Sequence, residues 1–162
     1  MPKRSAGLLP FRVDEEGALE LFVVHPGGPF WAKREDGAWS VVKGEYGEDE
    51  EASVAAEREF AEEVGLPAPP GLRIELGQVK QAGGKLVRVW AVEAPLFEVD
   101  RLVSNQFEME WPPKSGRHQS FPEVDRAEWM SAETARVKLV NVQVTFVDRL
   151  MDHLSGADPA TT

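Results

Sequence analysis

Two short apolar runs open the chain. Residues 5–13 (SAGLLPFRV) and 18–24 (ALELFVV) are strand-length, and the turn-like Asp14-Glu15-Glu16-Gly17 between them predicts a hairpin. A Gly/Pro-rich stretch follows, HPGGPFWAKREDGAWS, whose Phe30, Trp31 and Trp39 argue for an ordered functional loop. The short run Trp39-Ser40-Val41-Val42 then leads into Lys43-Gly44. Residues 48–64 carry the strongest helical signal in the chain: an acidic first turn from Glu48 to Glu51, an alanine-rich interior, and a stop at Gly65-Leu66-Pro67.

Past Pro67, Pro69 and Pro70, LRIELGQVKQ and KLVRVWAVEA predict two strands joined around Gly83-Gly84. The second alternates imperfectly, which predicts burial on both faces. SNQFEMEW reads as a further strand, and Pro112 to Pro122 as a loop holding Lys114, Arg117 and His118. VDRAEWMS leads into a terminal helix from about Ala132 to Leu154, interrupted near Val140-Asn141. With no internal repeat, the chain reads as one domain over residues 1–155 and a frayed tail at 156–162.

Composition narrows the partners. At 162 residues and 42% hydrophobic positions, the chain can bury one substantial core. Eighteen basic against 28 acidic residues leave a formal charge of -10, which argues against nucleic acid or a membrane surface as partner. A small anionic substrate stays open, because local lysines and a bound metal reverse the field at one site. There are no cysteines, so disulfides and thiolate metal sites are excluded. The basic start MPKRSAGLLPFRVDEEG has too short an apolar run for a signal peptide, and no segment approaches the ~20 apolar residues that span a bilayer. The expectation is a soluble cytoplasmic protein.

The chemistry concentrates in REFAEEVG, residues 58–65. Glu59, Glu62 and Glu63 stand at i, i+3 and i+4 and share a sector of ~100° on the predicted helix. Phe60 and Val64 fall on a neighbouring sector and read as core contacts; Ala52, Ala55 and Ala56, a turn or two back on the acidic side, permit close approach. Like charges at this spacing repel by about 0.2–0.5 kcal/mol per pair. The last two acids also lie where the helix dipole disfavours negative charge. Three such acids alone describe a solvated helix face better than a metal site. A divalent cation with a preference for hard oxygen donors, Mg²⁺ or Mn²⁺, would turn their arrangement from unfavourable to favourable.

What favours the cation is a resemblance carried by the surrounding residues. Five residues separate Gly44 from Glu50 and seven separate Glu50 from Arg58, giving G44-x5-E50-x7-R58-E59-F60-A61-E62-E63-V64-G65-L66. This resembles the Nudix box, G-x5-E-x7-R-E-U-x-E-E-x-G-U, at every fixed position, with Phe60 and Leu66 in the apolar places. The strand order around it and the approach Trp39 to Gly44 extend the resemblance over most of the chain, with Val42 standing where several bacterial relatives have proline.

The resemblance implies a Nudix hydrolase: an α/β/α sandwich around a mixed sheet, the box forming a loop–helix–loop, and hydrolysis of a nucleoside diphosphate linked to another moiety. It assigns Glu59, Glu62 and Glu63 as metal-facing carboxylates, the backbone carbonyl of Lys43 as a further ligand, and Arg58 as their orienting partner. Glu50 is open between pairing, capping and direct ligation. Lys43 and Lys33 or Arg34 are candidate phosphate contacts; Phe30, Trp31 and Trp39 are candidates to stack a base, with core packing the expected role of at least one of them. In many relatives a glutamate outside the box activates water; Glu110 and Glu123 are the candidates, Glu123 preferred, with Glu59 in reserve. The substrate expected is a nucleotide-type polyphosphate. The alternatives are a diphosphoinositol polyphosphate and, in a different class, a catalytically silent nucleotide sensor.

Overall fold

The apolar runs become strands because both of their faces are covered. In the computed structural model, which describes residues 2–156, β1 (Arg4–Val13) turns Ala6 and Leu8 to one side and Leu9 and Phe11 to the other. β2 (Leu19–Pro26) divides in the same way, Phe22 and Val24 against Leu21 and Val23. The turn between them closes as expected: the Asp14 carboxylate accepts from the backbone N–H groups of Glu16 and Ala18.

These two strands are the middle of a six-stranded mixed sheet. Its other members are β3 (Val42–Glu45), β4 (Arg73–Lys80), β5 (Leu86–Glu93) and β8 (Val124–Ser131). The order is β4-β5-β1-β2-β8, and β3 adds to β1 beside the start of that strand. Only β1 and β5 run parallel among these pairs. The remaining strands, β6 (Gln106–Glu110) and β7 (His118–Pro122), form a separate two-stranded ribbon.

Helix α1 (Ala52–Val64) covers one face, burying Ala55, Ala56, Phe60 and Val64 against Ala6, Leu8, Phe22 and Val42. Helices α2 (Ala132–Lys138) and α3 (Val144–Leu154) cover the other, with Ala135, Phe146, Val147 and Leu150 against Leu9, Leu21 and Val89. The layered α/β/α sandwich expected from the sequence is the one observed. No helix among the described residues is long and apolar enough to cross a membrane.

Four boundaries differ from the sequence reading. Helix α1 begins at Ala52 rather than at 48, because Glu50 turns back to pair with Arg58 and Glu51 is extended at the N-cap. Half of the loop expected over Pro112–Pro122 is β7, which finds its partner in β6. VDRAEWMS is a full strand beside β2. The terminal helix is two helices: Leu139 and Val140 run extended beside Trp39, and a single 3-10 turn (Asn141–Gln143) leads into α3. Most of the expected tail, residues 157–162, lies outside the described residues.

Gln143 fixes the approach to the box. It is fully buried; its side-chain oxygen accepts from Val41 N at 2.9 Å, and its amide nitrogen donates to Ser40 Oγ at 3.1 Å and Gln81 Oε1 at 2.9 Å. One side chain thus ties the start of β3 to the β4–β5 turn. Gln143→Leu leaves the Val41 N–H buried without an acceptor, so chemical denaturation should show a loss of about 1–3 kcal/mol.

Candidate active site

Strand β3 and helix α1 meet at Gly44. A Cβ there would lie 1.9 Å from the Glu59 carboxyl carbon, so the box glycine is the space into which that carboxyl fits. Glu59 is consequently only 8% exposed. Burial raises its pKa, against the pull of the neighbouring Arg58.

Arg58 organises the acids around it. Its Nε and Nη2 donate to the two oxygens of Glu50 at 2.8 Å each, a bidentate pair. Nη1 donates to Glu59 Oε1 at 2.9 Å and Glu62 Oε2 at 3.1 Å, and Nη2 also reaches the Glu45 carbonyl at 3.4 Å. This places Glu50 as an ion-pair partner and holds it well below the usual carboxylate range.

The acids face a cavity of about 600 Å³, lined by Glu59, Glu62, Glu63 and Glu123 and by Lys43, Lys85 and Ser5. A smaller recess of about 170 Å³ shares Lys43, Glu63 and Glu123. Glu63 is pushed up to about 7, by burial first and then by the charges of Glu123 and Glu59. Lys43 is pushed down to about 8, by burial and then by Lys85.

Backbone hydrogen bonds place Glu123 there. The segment before β6 is laced to the end of α1, with Val103 N donating to Val64 O at 3.2 Å and Asn105 N to Glu62 O at 3.0 Å. As the ribbon returns, Glu123 N donates to Asn105 O at 2.7 Å and Gly27 N to Glu123 O at 3.0 Å. Glu110 pairs with His118 farther out on the ribbon and does not line the cavity.

The loop residues are elsewhere. Trp39 is 1% exposed, packs in the core on the α2–α3 side and directs its Nε1 to Glu35, so of the three candidate aromatics it is the one that takes the core role and is not free to stack on a base. Trp31, Lys33 and Arg34 do not line the cavity; the Arg34 guanidinium sits 4.3 Å from the Phe30 ring centroid and 5.6 Å from that of Trp31. His25, without a visible partner in the sequence, is buried between Asp125 (2.8 Å from Nδ1) and the Arg34 carbonyl, to which Nε2 donates at 2.6 Å.

The sequence reading missed Lys85 and Ser5. Lys85 follows the Gly83-Gly84 turn, and its Nζ is 3.5 Å from Glu45. Ser5 is the one buried side-chain polar group without a hydrogen-bond partner among the described residues, an arrangement that costs about 1–3 kcal/mol. Only the pairing of β1 with β3 and β5, which no local spacing reveals, brings them to the acids.

The NUDIX domain model matches residues 1–150. The chain belongs to the Nudix family. With every fixed position of the box in place, this Nudix protein is a hydrolase of phosphoanhydride bonds. Among proteins of curated function none matches its sequence. Solved structures share its fold at low identity. A C. elegans Ap4A hydrolase in a binary complex superimposes with a TM-score of 0.67 at 19% identity, over 95% of this chain and 98% of that one. The NUDIX domain of Shewanella oneidensis NrtR, complexed with ADP ribose, gives 0.66 at 14% identity, over 95% and 89%. A mutT/nudix family protein from Listeria innocua gives 0.61 at 18%, over 97% of both chains.

The donor set of this Nudix box suits a divalent cation. Its oxygens are hard, Glu59 is held in place by Gly44, and Glu63 is crowded by like charge that a cation would relieve. Among the described residues no three carboxylate or imidazole groups already enclose an ion, since Glu59 and Glu62 are turned to Arg58.

Glu63 gives a pH signature. An acid raised from about 4.5 to about 7 on folding contributes its full stability below 4.5 and loses it as pH rises to 7. In EDTA, Glu63→Gln should therefore gain in melting temperature over the parent progressively between those pH values, and the difference should level off above them. A difference that stays constant with pH would place Glu63 in an ordinary carboxylate setting. Gly44→Ala should displace the Glu59 carboxyl, and thermal melts should then show a weaker response to Mg²⁺ than the parent gives.

Proposed function

We propose that the protein is a Mg²⁺-dependent pyrophosphohydrolase of nucleotide-type polyphosphates, of the nucleoside triphosphate or dinucleoside polyphosphate kind. The observation that carries this reading is the convergence of Glu59, Glu62, Glu63 and Glu123 with Lys43 on one cavity. The carboxylates of Glu59, Glu62 and Glu63 and the carbonyl of Lys43 would hold Mg²⁺, with Mn²⁺ as a substitute. Such an ion offsets phosphate charge and lowers the pKa of water.

The chain's own groups supply the rest. Arg58 holds two of the carboxylates in orientation while keeping its own charge. The Lys43 ammonium, directed into the cavity, meets phosphoryl oxygens. Glu123 takes a proton from the attacking water as its oxygen bonds to phosphorus and the anhydride P–O bond breaks. Its place beside Glu63, on a segment fixed by backbone bonds, favours it over Glu110.

Substrate class rests on charge. Among the described residues lining the cavity, the lysines are only Lys43 and Lys85, against five glutamates. A diphosphoinositol polyphosphate calls for a denser basic cradle than that. The C. elegans neighbour is an Ap4A hydrolase and the Shewanella domain was solved with ADP ribose, which supports a nucleotide-type substrate. The intact box speaks against a silent sensor.

A phosphate-release screen over nucleoside triphosphates, dinucleoside polyphosphates, nucleotide sugars and inositol pyrophosphates, with Mg²⁺ and Mn²⁺, tests this. Glu62→Gln and Glu63→Gln should each lower turnover by roughly 10²- to 10⁴-fold with the fold intact, and Glu123→Gln should abolish the acidic limb of the pH–rate profile. Near-normal turnover in either box variant would remove the metal assignment, and a specificity constant favouring inositol pyrophosphates would overturn the substrate class.

A further inference from the structure

The wall of the cavity facing the acids is built from the starts of β1 and β5 and the end of β3. Ser5 on β1 lies directly across from Glu45 on β3 and from Val87 on β5, and Lys85 immediately precedes β5. All but Val87 line the cavity together with the box carboxylates. The backbone here is fixed: Gln81 N donates to Lys85 O at 2.7 Å and Leu86 N to Lys3 O at 2.9 Å. What can move is the Lys85 side chain.

Its one ion-pair partner among the described residues is shared. Glu45 Oε1 lies 3.5 Å from Lys85 Nζ and 3.8 Å from Lys3 Nζ. When Lys85 swings toward an anion, Glu45 keeps Lys3 and is not left unpaired. Ser5, 1% exposed, holds a hydroxyl with no partner at the same wall. A buried donor without an acceptor beside a lysine with a replaceable partner is a site that lacks only its anion.

We propose that Lys85 and Ser5 form the phosphoryl-binding wall of this cavity and receive the non-bridging oxygens of the substrate phosphoryl group farther from the box carboxylates. This rests on the hydrolase reading for the nature of the anion. The Lys85 ammonium gives the charge; the Ser5 hydroxyl, fixed on the floor, gives a directed donor. The wall sets a requirement for at least two linked phosphoryl groups, one against the acids and one against Lys85. A monophosphate reaches only one of the two.

The test uses imidodiphosphate, whose P–N–P link resists hydrolysis, titrated calorimetrically into the full chain with Mg²⁺. Lys85→Gln should weaken its binding about tenfold or more, and Ser5→Ala several-fold. Lys85→Arg should restore most of the affinity. Arg136→Gln, an equal charge change on α2 outside the cavity, should leave it unchanged. Ser5→Ala also removes an unpaired buried hydroxyl, so its ligand-free melting temperature should match or exceed the parent's; a purely structural serine would shift it downward. On the best substrate from the screen, both variants should raise KM more than they lower kcat. Affinity in Lys85→Gln within about twofold of the parent overturns the proposal, as does a parent that does not bind imidodiphosphate. Should the variants lose imidodiphosphate while the parent turns over no phosphoanhydride, the wall stands and the hydrolase reading falls.

Discussion

One guanidinium makes the acidic face of α1 possible. The last turn of that helix carries no basic residue, so both the dipole and mutual repulsion work against Glu62 and Glu63. Arg58 answers with a planar fork spread over Glu50, Glu59, Glu62 and the Glu45 carbonyl. A lysine, with a single point of charge, could not hold three carboxylates in fixed directions. Glu63 is not among the partners of the fork. It is left with burial and the field of Glu123 and Glu59, and it is the box acid pushed up to about 7. Burial raises Glu59 as well, but there the Arg58 fork pulls against it, whereas Glu63 has only a 3.4 Å bond from Ser104 to set against burial and Glu123.

The sheet then decides what stands opposite. Gly44 pairs with Ala6, and both Ala55 and Ala56 are buried against that region, so α1 lies close enough for Glu59 to press on the strand. The same pairing sets Lys43 opposite Gly7, where a side chain on β1 would collide: a Cβ at Gly7 would lie 2.5 Å from the Val42 carbonyl. Two glycines on adjacent strands therefore give the close backbone approach that α1 and β3 require. The box carboxylates rest on a helix packed against the sheet rather than on loops, which is the more rigid choice.

The helix, the hairpins and the box acids were legible in the sequence because each is a local pattern: an apolar period, a glycine stop, a fixed spacing. The start of α1 was not, since its acidic approach reads as a favourable first turn until Glu50 is seen to pair eight residues ahead. Trp39 misled for a related reason. In sequence it shares a loop with Phe30 and Trp31, but its bridge to Leu139 draws it into the core from the far end of the chain. Lys85 and Ser5 were invisible because their contact with the acids depends on the parallel pairing of β1 with β5, across some eighty residues of chain.

That long-range pairing also bears on how so acidic a chain would take the polyphosphate proposed for it. Arg34 of the loop covers Phe30, while Arg126 on β8 and Lys138 on α2 lie against the loop's Glu35. Among the described residues, the lysines that line the cavity with the box acids are Lys43 and Lys85. A polyphosphate entering with no counter-charge would meet more carboxylates than ammoniums and be repelled. On the proposed function, the excess of glutamates would oppose a bare anion, and a divalent cation held by them would offset that repulsion.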